Sequence, residues 1–339
     1  LTIKYEKDGY LPAQRQVDAP WQDFDWAPDV VLIPLDPQVT EVDLTQTDEA
    51  FIVAQGSVVS DTDGMRQATL LVPQGTQAEL VLPGGVTQSI STLNVRATEY
   101  TVGDNGPQAM PAELPSLTGY TYAAEFSADE ALNAGANDVQ FDQPLYFYQE
   151  DFIGFPVGSA VPTGYYDKEK GQWIASENGR VIDVLTITNG LADLDIDGDG
   201  VADNGVVITP TMVLTITEAE RAQLATLYPQ PPKRLWRVPI QHFTPWDCNW
   251  PYGPPDDAEK PDQDDPDTDD PEDDPCENGG SILECQNQTL GQRIPIIGTP
   301  FTLNYRSNRV VGRRAVYELK IPLSDDSIPG SLAGIRLEI

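Results

Sequence analysis

Residues 29–36, 51–61, 68–76, 78–85 and 92–102 read DVVLIPLD, FIVAQGSVVSD, ATLLVPQGT, AELVLPGG and TLNVRATEYTV. Each run is short, rich in Val, Ile, Leu and Thr, and bounded by Gly, Pro, Asn or Asp. Branched side chains suit a pleated surface, and the bounding residues suit turns. Regular short strands with turn signals between them predict a β-sandwich over 30–118. Asp63-Gly64 predicts a hairpin joining 51–60 to 65–73.

The pattern continues outward. YTYAAEFS (120–127), DVQFDQPLYFYQED (138–151), GYYDKEKGQWIAS (164–176) and GRVIDVLTIT (179–188) predict a second β module over 119–188. ADEALNAGA (128–136) reads as a single helical turn or loop. Lys168 to Gly171 read as a hairpin tip, and Trp173 as an aromatic packed on a core or edge. LTIKYEKDGY at the start reads as one strand closed by Asp8-Gly9, with Ile3 and Tyr5 toward a core.

One helix stands out. In TITEAERAQLATLY (215–228), Thr217 and Glu220 have capping-box spacing, Leu224, Leu227 and Tyr228 follow at helical spacing, and Pro229 stops the run. The aromatic stretch 233–253 reads as a strand and then an irregular strap. Residues 254–275 hold twelve acids and one lysine among prolines, which predicts a self-repelling, extended linker. Strand patterns return within 276–339.

Composition narrows the function. A formal net charge of −34 repels phosphates and argues against nucleic acid. It fits an extracellular acidic surface and bound divalent cations. No window is apolar over eighteen residues, so no membrane-spanning helix is expected. Cys276 and Cys285 flank a Gly-Gly loop and form a disulfide candidate; Cys248 would then be free, or would pair with one of them. A nucleophile–His–acid arrangement would have to use His242, the one histidine, which lies between apolar residues. Glycine patterns for nucleotides and nucleophile elbows are absent. The expectation is a protein that is not an enzyme.

The one segment with metal chemistry is NGLADLDIDGDGVADNG (189–205). Counted from Asp195 as position 1, Asp197 stands at 3, Asp199 at 5, Gly200 at 6, Val201 at 7 and Asp203 at 9. Alternate aspartates on a curling chain converge on one centre, glycine permits the turn, and the Val201 carbonyl adds an oxygen. The candidate ligands are Asp193, Asp195, Asp197, Asp199, Val201 and Asp203, and the expected ion is Ca2+. Position 12 is Val206, so the bidentate glutamate of an EF-hand is missing. The loop resembles the short acidic calcium loops of dockerin and thrombospondin type 3 repeats. Asn204, Asp183, Glu218 and Glu220 are candidates to complete the shell.

Further resemblances are local. GYLPAQRQV (9–17) resembles the end of a carboxypeptidase-regulatory-like or fibronectin-like sandwich, so 1–29 is expected to finish a preceding module. RQATLLVPQGTQAEL (66–80) is similar to the ZU5 pattern. In GTPFTLNYRSNRV (298–310), Gly298-Thr299-Pro300-Phe301 precedes alternating Leu303 and Tyr305, then Ser307-Asn308-Arg309-Val310. This stretch resembles the entry into the YD-repeat shell of Rhs-type bacterial proteins. The resemblance implies a mainly β chain. It would hold β-sandwich modules, a calcium loop with one short helix over 189–232, and the first strands of a shell from 276. It also implies a piece of a longer protein, secreted or on the bacterial cell surface, partnered by the rest of its own shell around a C-terminal cargo or toxin. Calcium-dependent adhesion or carbohydrate binding, a carboxylate-based hydrolase and an end-to-end stalk are the rival expectations. The first would need exposed aromatics near Trp173 and Trp246–Trp250 for cell-surface or glycan ligands.

Overall fold

The computed structural model describes residues 1–17, 27, 29–101, 106, 108–114, 118–209, 212–250, 289–296 and 302–308. The chain is mainly β and forms two compact units, Leu1–Pro251 and Tyr252–Ile339.

The first unit begins with strands β1 (Thr2–Tyr5), β2 (Ala13–Gln16), β3 (Thr40–Asp43), β4 (Phe51–Gln55), β5 (Val59–Asp61), β6 (Gly64–Arg66), β7 (Thr69–Pro73), β8 (Ala78–Leu82), β9 (Val86–Ile90), β10 (Thr92–Glu99) and β11 (Ala123–Ala128). Helix α1 (Asp129–Ala134) follows and closes on Gly135 in the left-handed conformation. Then come β12 (Asp138–Glu150), β13 (Ala160–Val161), β14 (Gly164–Asp167), β15 (Gln172–Ala175), β16 (Gly179–Thr188), β17 (Leu191–Asp195), β18 (Val206–Thr209) and β19 (Met212–Thr215). Helix α2 (Glu218–Leu227), β20 (Lys233–His242) and β21 (Pro245–Asp247) complete it.

Two antiparallel sheets face each other. The smaller runs β15-β14-β21-β11-β10-β3, and the larger runs β13-β16-β20-β12-β7-β4, with β17 on β16 and the β8–β9 hairpin on β12. Leu93, Val95, Phe126 and Trp246 from the first meet Leu70, Leu80, Phe147, Val181 and Trp236 from the second in the main core. The far face of the larger sheet is covered as well: Leu71, Tyr148, Ile182 and Leu235 pack with Leu194, Ile196 and Leu224. Burial on both faces explains why Leu70-Leu71-Val72 and Leu235-Trp236 do not alternate with polar residues.

Several expected boundaries fall elsewhere. β10 and β11 are hydrogen-bonded neighbours, as are β7 and β12, so 30–118 and 119–188 contribute interleaved strands to one sandwich. The 1–29 segment belongs to the same unit: Leu11 N–H donates to the Ile33 carbonyl at 2.8 Å, and Arg15 donates to the Met110 and Gln108 carbonyls. The described part of the 233–253 strap contributes to both sheets, with β20 between β16 and β12 and β21 between β11 and β14. The Asp63-Gly64 signal lies in a tight hairpin, β5 to β6, while β4 and β7 pair as read.

In the second unit, β22 (Thr289–Pro295) and β23 (Thr302–Asn308) form an antiparallel hairpin, with Gln292 opposite Tyr305. The acidic linker at 254–275, Cys276, Cys285 and the strand patterns beyond 308 lie outside the described residues.

Candidate metal centre

The acidic loop hangs from a hairpin that its own sequence encodes. Thr188 pairs with Leu191, leaving a two-residue Asn189-Gly190 turn with φ of 54° and 81°. Two positive φ values are what a type I′ turn needs, and Asn-Gly supplies them at least cost. β17 thereby runs back along β16 and ends at Asp195, which stands opposite Asp183.

From there the chain curls around Asp195. Its carboxylate accepts the Gly198 N–H at 2.7 Å and the Gly200 N–H at 2.9 Å. Asp197 accepts from Asp199 N–H, Asp199 from Val201 N–H, and Asp203 from Ile196 N–H at 2.7 Å. Gly198 and Gly200 sit at φ of 90° and 80°, a region that L side chains avoid.

The result brings three carboxylates together. Ligand atoms of Asp195, Asp197 and Asp203 all lie within 4.8 Å of one another. Asp195 is buried, Asp197 exposed and Asp203 half-buried. Burial raises the Asp203 carboxyl above its ordinary range, and the charges of Asp197 and Asp195 add to the rise. Oxygen ligands of this kind suit a hard cation.

The carboxylates of Asp193 and Asp199 are not members of this group of three. Asp193 Oδ2 accepts from the Thr186 and Thr188 hydroxyls at 2.7 and 2.6 Å. Its Oδ1 accepts from Asn204 and Arg221. Those hydrogen bonds hold its carboxyl below the usual range, so Asp193 serves as a brace between β16, β17 and α2. Asp199 is exposed and caps the turn at Val201, whose side chain is also exposed.

Among the remote acids, Glu220 is committed to Tyr148 and Arg237, and Glu218 is exposed at the start of α2. Asp183 is the one placed beside Asp195. Its Oδ1 is buried without a hydrogen-bond partner, and its carboxyl is raised by burial and by the Asp195 charge, against the pull of Arg234.

A neighbour the sequence does not announce fixes the loop from behind. A Cβ on Gly158 would lie 2.2 Å from the Asp197 carbonyl oxygen, and one on Gly198 would lie 2.4 Å from the Val157 carbonyl oxygen. Two glycines thus let the 157–158 turn press against the loop, a contact between segments about forty residues apart that no local motif signals.

The remaining chemistry is packed away. His242 stacks on Trp246 and meets Tyr165 edge-on, and burial lowers its pKa to about 4. Thr244 Oγ1 and Asp138 Oδ1 both lie at its Nδ1, at 3.1 and 4.0 Å, so the ring does not bridge an acid and a hydroxyl as a relay would. Trp236 and Trp246 are core residues, Trp250 stacks on Phe155 at 3.8 Å, and Trp173 packs beside Tyr100 and Met110. Cys248 is a buried thiol with no disulfide partner among the described residues, its pKa pushed up by burial. Among the described residues, no helix is long and apolar enough to cross a membrane.

Comparison with known proteins finds no matching family model, no matching curated protein and no matching solved structure.

Proposed function

We propose that this chain is a non-catalytic structural segment of a large secreted Rhs/YD-repeat protein. In this reading it caps or carries the β-shell around a C-terminal cargo and is stapled by calcium. The observation that carries the calcium reading is the convergence of Asp195, Asp197 and Asp203 within 4.8 Å. These residues would hold the ion, with Asp183, which stands opposite Asp195, as a further acid. Bound calcium would neutralise like charges that otherwise repel by on the order of 1 kcal/mol per close pair. The shell reading is supported by residues 302–308, which carry Leu303 and Tyr305, lying in a strand of a hairpin.

Thermal unfolding of the full chain in calcium and in chelator tests the staple. A ligand that binds only the native state at about 100 times its Kd adds about 2.7 kcal/mol. The midpoint is expected to rise with calcium in the wild type and to stay put in Asp197→Ala; a wild-type midpoint indifferent to calcium removes the proposal. Electron microscopy of the longer secreted polypeptide tests the shell. A closed hollow particle is expected, and an extended stalk overturns the assignment.

A further inference from the structure

Three Asn-Gly pairs lie wholly within the described residues: Asn178-Gly179, Asn189-Gly190 and Asn204-Gly205. In any such pair the chain itself holds the glycine nitrogen within ring-closing reach of the asparagine Cγ, and glycine has no side chain to hinder the approach. The fold treats the three pairs differently. Asn178 Oδ1 accepts the Thr163 N–H at 3.4 Å. Gly179 is buried in β16, between β13 and β20, and its N–H donates to Thr163 Oγ1 at 3.4 Å. Asn204 is held at both ends of its amide: Oδ1 accepts the Leu194 N–H at 3.1 Å, and Nδ2 donates to Asp193 Oδ1 at 3.1 Å. Asn189 and Gly190 are both exposed at the tip of the β16–β17 hairpin. Among the described residues, neither the Asn189 side chain nor the Gly190 N–H has a hydrogen-bond partner. Nothing lies within 4 Å of where a Gly190 Cβ would stand.

We propose that Asn189 is a site of spontaneous deamidation, selected by the fold from these three pairs. Hydroxide takes the Gly190 amide proton, and the nitrogen lone pair attacks Asn189 Cγ. The N–Cγ bond forms, the Cγ–Nδ2 bond breaks, and Nδ2 leaves with a proton as ammonia. Water then opens the cyclic imide. Attack at Cγ gives aspartate at 189, and attack at the main-chain carbonyl carbon gives isoaspartate. Nothing is oxidised or reduced, and water is the one co-reactant.

The product bears on the hairpin below it. Isoaspartate adds one carbon to the main chain of a two-residue turn whose fit depends on its length. The Thr188–Leu191 pair closes that turn, and the Thr188 hydroxyl donates to Asp193. The modification therefore loosens the brace at Asp193 and adds a negative charge at the tip. Neither effect requires calcium in the acidic loop.

Peptide mapping of the full chain after incubation in mildly alkaline buffer, folded and in urea, tests the proposal. In the folded chain Asn189 is expected to convert about tenfold or more faster than Asn204, which must first give up two hydrogen bonds. Asn178 is expected to lag likewise, and in urea the three rates should converge. An Asn189 that stays intact in the folded chain while converting in urea overturns the proposal. So do three equal rates in the folded chain, which would mean that the fold selects nothing. The isoaspartyl form, separated by ion exchange, is expected to melt below the parent; an unchanged midpoint overturns the link to the brace.

Discussion

Glu220 Oε1 lies 2.7 Å from Arg237 Nε, with both side chains at most 3% exposed. The second carboxylate oxygen accepts from Arg237 Nη2 at 3.1 Å, and the Tyr148 hydroxyl donates to Oε1 at 2.6 Å. Glu220 thus ties α2 to two central strands of the larger sheet. Removing one member of a buried pair strands the other, at about 3–5 kcal/mol. Glu220→Ala should therefore lose about that much in urea denaturation, and Glu220→Ala with Arg237→Met should recover much of it.

Asp193 and Asp203 should part company when tested separately. Asp193→Ala removes the brace to Thr186, Thr188 and Arg221, and should cost about 1–3 kcal/mol while leaving any calcium response intact. Asp203→Ala should abolish that response. Calcium-dependent melting of the two variants side by side checks the split.

Gly158 and Gly190 have nearly the same φ, 82° and 81°, in different surroundings. Alanine at Gly190, where nothing lies within 4 Å, should cost only the left-handed penalty of roughly 1–2 kcal/mol. Alanine at Gly158 must also displace the Asp197 carbonyl and should cost clearly more. Equal losses would show that the turn does not press on the loop.

Acid should act on two groups in opposite senses. Burial raises Asp138 from 3.8 to about 6, so between those values the native state holds a proton that the unfolded chain has released. Its contribution to stability therefore falls as pH rises through that window. His242, lowered from 6.5 to about 4, does the reverse: the unfolded chain takes the proton first, and stability falls as pH drops from 6.5 toward 4. Asp138→Asn should gain on the wild type by up to roughly 3 kcal/mol as pH is raised from 4 to 7.5. Parallel stability curves for the two proteins would refute the shift.

Local signals were legible where the cause is local. Thr217 caps α2 by accepting the Glu220 N–H at 3.1 Å, as its spacing indicates, and alanine there should cost about 1 kcal/mol. The reciprocal half of the capping box is absent because a tertiary partner, Arg237, takes the Glu220 carboxylate. The aspartate spacing located the loop, yet Asp193 could not be separated from Asp195 by spacing, since both share one face of β17. What divides them is Thr186 and Thr188 across the hairpin. The Asn189-Gly190 pair is a local type I′ signal of its own, standing at the head of the acidic run. Module boundaries failed for a different reason: strand periodicity says where strands lie, and nothing about which distant strand each will join.

The position of β20 bears on the order in which the first unit can be completed. This strand, at 233–242, separates β16 from β12, and β21 just after it joins β11 to β14. A chain emerging from its N-terminus can form β4–β7, β8–β9 and β16–β17 early, as hairpins. Both sheets stay split until residues 233–247 arrive to bridge them. The closing step thus waits for the last tenth of the unit and depends on long-range pairing, which is slow. Until then each sheet exists only as separate pieces, and the core between them cannot close.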